Sequence, residues 1–301
     1  MSKNAIQQSI RETVAWFSCV RRPLTVQELY ENLWSTPCSF QVFETALYEM
    51  IDNKELLIYK RHVVFQKEEV IDFEARNAFR HQYEQKEKKI RAWLRHFPFV
   101  VSVYTVNSGA YKAWNSSSDL DLLIVTRKYT LWFTRFIITL FFSFLRWRRH
   151  HKKIIGRICL SFFLTEDMLD IEHLKQTKHT DIYLIYWIVW ARPLIHCRSV
   201  GTLLHHNHWV RDYVPHIRRF KMSKVTKFSF FAHTLEALLK YTGIAYMCNF
   251  LLRVWLFPRA LKKHKQSTKH ASVVISDSIL KFHEHDRRKE YYEKWKSVLD
   301  D

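Results

Sequence analysis

Residues 118–126 read SDLDLLIVT, and no other stretch constrains the fold as tightly. The run from Leu120 to Val125 asks to be a buried strand, yet Asp119 and Asp121 are set at its head. Side chains along a strand alternate between faces, so the two acids share a face while Leu120 points into the core. Two carboxylates held that close repel. The arrangement suits a cation lying between them and a polyanionic ligand, and magnesium commonly binds through one or two carboxylates plus phosphate oxygens. Taken alone, the triplet also fits a solvated strand start.

The surrounding sequence supplies an α+β frame. Ile6, Ile10, Val14 and Phe17 recur at helical spacing, Thr25 and Glu28 have the capping-box spacing of a second helix, and Ser39 opens a third running to Ile51. Two short β-rich segments, ELLIYKR and HVVFQKE, complete a winged-helix pattern over residues 1–70. A charged connecting helix is expected over 71–97. Residues 98–198 then carry strands near 99–106, 120–126 and 157–165, a short turn of helix after Ser108 and a long apolar helix over 131–147: a mixed sheet with flanking helices. Residues 199–301 read as a helical C-terminal region, with helices expected near 200–214, 230–240, 243–257 and 284–299.

An apolar fraction of 48% with only 4 glycines and 6 prolines in 301 residues excludes a disordered or linker-rich chain. The formal charge of +19 creates a field attractive to phosphates, nucleic acid or an anionic membrane without selecting among them. Five scattered cysteines without C-x-x-C spacing argue for reduced thiols, and the N-terminal segment lacks the pattern of a secretion signal, so a cytoplasmic location is expected. The apolar stretches 131–147 and 241–258 are interrupted by Arg135 and Arg253 and fall short of the ~20 residues that span a bilayer. Both are expected to be buried helices, and peripheral membrane contact is not expected.

With its upstream context the acid pair resembles the DNA polymerase β-like nucleotidyltransferase superfamily. That family's mark is a strand ending in Gly-Gly or Gly-Ser, a turn and short helix, then Asp-x-Asp on the next strand. Here Asn107-Ser108 follows the strand, ten residues intervene, and Asp119-Leu120-Asp121 comes next. The likeness extends to uncharacterised bacterial nucleotidyltransferase-domain proteins with an N-terminal winged helix. It rests on Pro23-Leu24-Thr25, Pro98-Phe99-Val100, Ser118-Asp119-Leu120-Asp121, Leu131-Trp132, Thr134-Arg135 and Arg157-Ile158-Cys159-Leu160, and covers most of residues 10–215.

The resemblance implies a Mg²⁺-dependent protein, Mn²⁺ being an alternative ion, that binds a nucleoside triphosphate and transfers its NMP to an acceptor hydroxyl. Asp119 and Asp121 would be the catalytic metal ligands, with Asn107, Ser108 and Ser118 on the nucleotide side. Two departures stand out. Asn107 occupies the usual glycine position, and Ser161 stands where the family's third carboxylate is expected, with Glu166, Asp167 and Asp170 only beyond that strand. A catalytically inactive member binding nucleic acid or a protein partner is therefore the alternative, and a peripheral membrane protein a third reading.

Other clusters carry less. His205, His206 and His208, and His283 to Asp286, lack zinc-site spacing and are expected at the surface or satisfied in the core. The basic run RWRRHHKK (146–153) reads equally as a phosphate grip, with Trp147 for stacking, or as a solvated loop. The third helix of the winged-helix pattern is acidic, which favours an interaction or structural module over a DNA reader.

Overall fold

The computed structural model describes residues 3–149, 155–197, 200–218, 228–265, 272–283 and 286–300. Helix α1 (Lys3–Cys19), strand β1 (Leu24–Thr25), α2 (Val26–Glu31), α3 (Phe40–Asp52) and strands β2 (Leu57–Tyr59) and β3 (His62–Val64) form the N-terminal unit. Thr25 and Glu28 make the expected reciprocal capping box, and Ser39 accepts from the Val42 N–H to cap α3. The three strands pair antiparallel in the order β1-β3-β2. Two helices follow, α4 (Lys67–Ala75) and α5 (Asn77–Leu94), which meet at Arg76, so the charged connector is jointed rather than one helix.

The central sheet has six strands: β4 (Val100–Thr105), β5 (Leu120–Thr126), β6 (Ile158–Thr165), β7 (Arg192–His196), β8 (Ser272–Ile275) and β9 (Ile279–His283). Their order is β7-β4-β5-β6-β9-β8, with β5 and β6 parallel and the other pairs antiparallel. A short helix, α6 (Ser108–Tyr111), lies between β4 and β5, and α7 (Leu131–Phe144) is the crossover between β5 and β6. The remaining helices are α8 (Ile182–Trp190), α9 (Leu203–His206), α10 (Phe230–Tyr241), α11 (Ile244–Lys265) and α12 (Arg288–Asp300).

Alternation along β5 sorts the core into two layers. Leu120, Leu122 and Ile124 pack with Tyr83 and Ile90 of α5 and Trp132 and Phe142 of α7. Leu123 and Val125 face the opposite layer, where Ile185 and Trp187 of α8 join Trp16 and Phe17 of α1 and Trp295 of α12. That second core is continuous from the N-terminal unit to the last helix, and Trp16 stacks on Tyr186 with ring centroids 5.7 Å apart.

Four expectations need correction. The C-terminal part is mainly helical but also contributes the β8–β9 hairpin; its strands are only 4 and 5 residues long, too short for a visible period in their Lys-, Ser- and His-rich setting. β7 also went unread, because its Pro193 is a residue that edge strands alone tolerate easily. The helix expected over 200–214 is α9 plus a 3-10 turn (His208–Asp212), separated at Asn207, whose buried amide binds Ile171 N, Leu169 O and Leu203 O. Finally, the stretch 241–258 is not core. It lies outside α7 as a further layer, so only its inner side is covered, and Ala245 alone among its residues is buried. Among the described residues no helix is long and apolar enough to cross a membrane.

Candidate functional site

Asp119 and Asp121 extend the Leu123–Val125 stripe toward the beginning of β5, past the cover that α8 and α1 give that face. The acids therefore sit at the rim of a buried strand, partly accessible, which resolves their placement in an apolar run. Asp121 is level with Cys159 on the parallel neighbour β6. The carboxylate oxygens of both acids and the Cys159 sulfur all lie within 4.8 Å of one another. Among the described residues this is the group of His, Cys, Asp and Glu side chains that could hold one ion.

Both acids have directed side-chain partners. Arg149 Nη1 donates to Asp119 Oδ2 at 2.8 Å, and Asn107 Nδ2 donates to Asp121 Oδ2 at 2.9 Å. Tyr183 Oη, on the first turn of α8, donates to Asn107 Oδ1 at 3.0 Å. Asn107 itself takes φ 54° and ψ −134°, a conformation that glycine tolerates and a side chain strains. Its amide, bonded at both ends, fastens this backbone to the acid pair. Ser108 comes next as the first residue of α6, where helix geometry leaves N–H groups without intrahelical partners.

Ser118 has a different duty. Its hydroxyl accepts from Asn115 N and donates to Asn115 Oδ1, closing the turn ahead of the acids, while its carbonyl accepts from Tyr83 Oη.

Burial raises the Asp119 carboxyl above the usual carboxylate range, the Asp121 charge raises it further, and Arg149 offsets part of both. Burial also raises Asp121, against hydrogen bonds from Asn107 and Cys159. The Cys159 thiol is driven far up by burial and by the two carboxylates, so without a cation it stays protonated and donates to Ser161 Oγ at 3.3 Å.

The turn is braced from α5. Glu87 is buried there, and Arg192 Nη2 of β7 donates to its two oxygens at 2.6 and 2.7 Å while Thr105 Oγ1 donates at 3.0 Å. Gly109 lies against this brace: a Cβ on it would run into Thr105 Cγ2, which the buried strand cannot yield. Gly109→Ala is expected to destabilise the protein by about 1–3 kcal/mol, read as a lowered Tm, because overpacking displaces the turn.

Sequence reasoning grouped Asn107, Ser108, Ser118, Asp119 and Asp121; in the structure Asn107 bonds Asp121, Ser108 follows it at the start of α6, and the Ser118 hydroxyl turns to Asn115. That grouping missed Cys159, Arg149, Gly109 and Tyr183. Cys159 was legible from counting β6 against β5, since the residue level with Asp121 is fixed by register. Arg149 was within the basic run but was read as a phosphate grip or a solvated residue rather than as a partner of Asp119; residues 150–153 of that run lie outside the described residues, as do His285 and Glu284. Trp147 is half-buried and stacks on Phe142 at the margin of the core, with ring centroids 6.3 Å apart. Past β6, Glu166 pairs with Arg127 and Asp167 with Lys128, so neither turns to the acid pair. Two hollows of about 460 and 480 Å³ border the N-terminal unit, the second also α12, and neither is lined by the acids. No protein-family model, curated protein or solved structure matches this chain.

Proposed function

We propose that the protein is a nucleotidyltransferase-type protein whose Asp119–Asp121 edge binds a divalent cation and the triphosphate of a nucleotide, for transfer of NMP to an acceptor hydroxyl. One observation carries the reading: the hydrogen bond from Asn107 to Asp121 joins a strained, glycine-like turn to a repulsive acid pair. Strained backbone gathers at functional sites because the surrounding structure has to hold it there.

Two carboxylates suit a hard ion such as Mg²⁺ or Mn²⁺ that keeps water and phosphate as its other ligands. A softer ion could also recruit Cys159 as thiolate. When bound, the cation supplies charge neutralisation at the α-phosphate as the acceptor oxygen attacks and pyrophosphate leaves. The chain's own residues do the positioning. Asn107 orients Asp121, the N–H groups of Ser108 and Gly109 at the start of α6 would present donors to phosphate oxygens, and Arg149, paired with Asp119, would offer its guanidinium to the triphosphate.

The N-terminal order α1-β1-α2-α3-β2-β3 with sheet order β1-β3-β2 supports a winged helix. Its α3 keeps Glu44 and Glu49 beside the surface side chains of Val42 and Tyr48, which fits a protein partner better than the DNA major groove. A cytoplasmic setting is part of the same proposal.

The alternative, a member that binds nucleotide without transfer, is favoured by β6, which carries Cys159 level with Asp121 and Ser161 beside it but no carboxylate. Incubation with each labelled NTP and Mg²⁺ or Mn²⁺, with and without cell extract, separates the two. Label retained covalently on any acceptor supports transfer. A Tm shift with NTP and cation but no incorporation leaves the binding-only reading, and neither effect rejects both.

A further inference from the structure

Helices α10 and α11 expose an apolar surface that no described residue covers. On α11, Met247, Phe250, Leu251, Val254 and Trp255 are each 49–60% exposed, and their steps of three and one residues put them on one helical face. On α10, Phe230 and Tyr241 are 85% and 94% exposed, with Leu238 between them. The stripe also continues onto α7. Phe136 meets Trp255 edge-on at 6.5 Å, and Leu140 and Phe144, one and two turns further along the same face, are exposed.

This outward face is fixed by the fold. Asn249 Oδ1 accepts from the N–H groups of Trp132 and Phe133 at the start of α7, and Arg253 is paired with Asp277 beside β8. Leu252, Leu256 and Phe257 occupy the inner side. α11 therefore cannot roll its apolar stripe inward without breaking these contacts.

Apart from Asp277, which is paired with Arg253, the free charges around the stripe are of one sign. Residues 228–265 contain six Lys and Arg and a single acid, Glu236. That acid is turned to the protein, accepting from Arg127 Nε at 3.0 Å and from the Phe99 N–H at 3.1 Å. Lys240, Arg259 and Lys262 stand exposed next to the apolar residues.

We infer that α10 and α11 lie on an anionic phospholipid surface, with the apolar stripe in the acyl boundary and the Lys and Arg side chains among the headgroups. An exposed apolar face rich in aromatics and bordered by basic residues is the composition of a helix that lies in the interface plane. Trp255, Tyr241 and Tyr246 are residue types that settle at headgroup depth. No described helix is long and apolar enough to span, so the contact is with one leaflet. A second copy of the chain is a poorer occupant, because a two-fold contact through this face brings its basic side chains against their own copies with no carboxylate between them. The inference is independent of the nucleotide site and revises the expectation that membrane contact is absent.

The full chain should co-sediment with vesicles of phosphatidylcholine containing about 30% phosphatidylglycerol, more weakly as salt rises. Phe250→Ser with Leu251→Ser alters only exposed side chains, so it should keep the Tm and weaken vesicle binding by about tenfold or more. Lys240→Glu with Lys262→Glu should also keep the Tm and remove most of the salt dependence. Absence of co-sedimentation overturns the inference, as does equal binding by the serine pair or equal binding to phosphatidylcholine alone. Lipid-free self-association abolished by the serine pair, without vesicle binding, assigns the face to a second copy instead.

Discussion

Asp119→Asn with Asp121→Asn is expected to abolish cation-dependent incorporation of label, by about a thousandfold or more, while leaving the fold intact. The second half of that expectation distinguishes function from architecture. In the cation-free protein both acids sit in surroundings that raise them above the usual carboxylate range, chiefly through burial. An acid whose folded pKa is raised leaves the folded state unpenalised below the unfolded value and weakens it progressively up to the folded value, above which the penalty is complete. At pH 7 the asparagine pair should therefore be about 1–2 kcal/mol more stable than the parent without cation. That advantage should shrink as the pH falls through 6 toward 4, where the parent's acids take up protons. Mg²⁺ with an NTP should raise the Tm of the parent and leave the variant unmoved; a ligand at ~100 times its Kd adds about 2.7 kcal/mol. A variant that loses stability without ligand, with neither protein responding to nucleotide, would assign the acids a structural role.

Arg192→Leu should have the largest effect on folding. The substitution leaves Glu87 buried with only Thr105 Oγ1 to meet its charge, and breaking a buried ion pair from one side costs about 3–5 kcal/mol. Glu87→Gln with Arg192→Leu should recover a large part of that loss, because no charge is then stranded. Chemical denaturation of the parent, the single and the double variant checks this directly. If the single variant costs less than 1 kcal/mol, the brace is not holding α5 to the sheet.

The elements easiest to read in the sequence were those whose information is local. The Thr25–Glu28 capping box, the apolar period of α1 and the alternation around Asp119 and Asp121 are set by spacing within a few residues, and all three appear in the structure. What escaped reading depends on residues far apart in the chain. Cys159 acquires its meaning from being level with Asp121 in a parallel pair, and Arg149 from reaching back 30 residues to Asp119. Tyr183 reaches Asn107 across 76 residues. The 241–258 stretch failed for another reason. Composition measures how apolar a helix is but not how many neighbours remain to cover it, and by the time α11 is laid down, α5 and α7 already fill that face of the sheet.

The Tyr183 ring lies edge-on to Trp16 of α1 at 6.2 Å and at 5.4 Å from Tyr291 of α12, while its hydroxyl holds Asn107. Helices α1 and α12 thus grip the same phenol that fixes the strained turn. An excised fragment of residues 98–198 would contain every carboxylate and donor of the candidate site, yet lack both aromatic walls that keep this phenol aimed. Its missing ends would show as a loosened Asn107 rather than as a missing ligand. Changes in α1 or α12 are for the same reason felt at Asp121, far from either helix in the sequence.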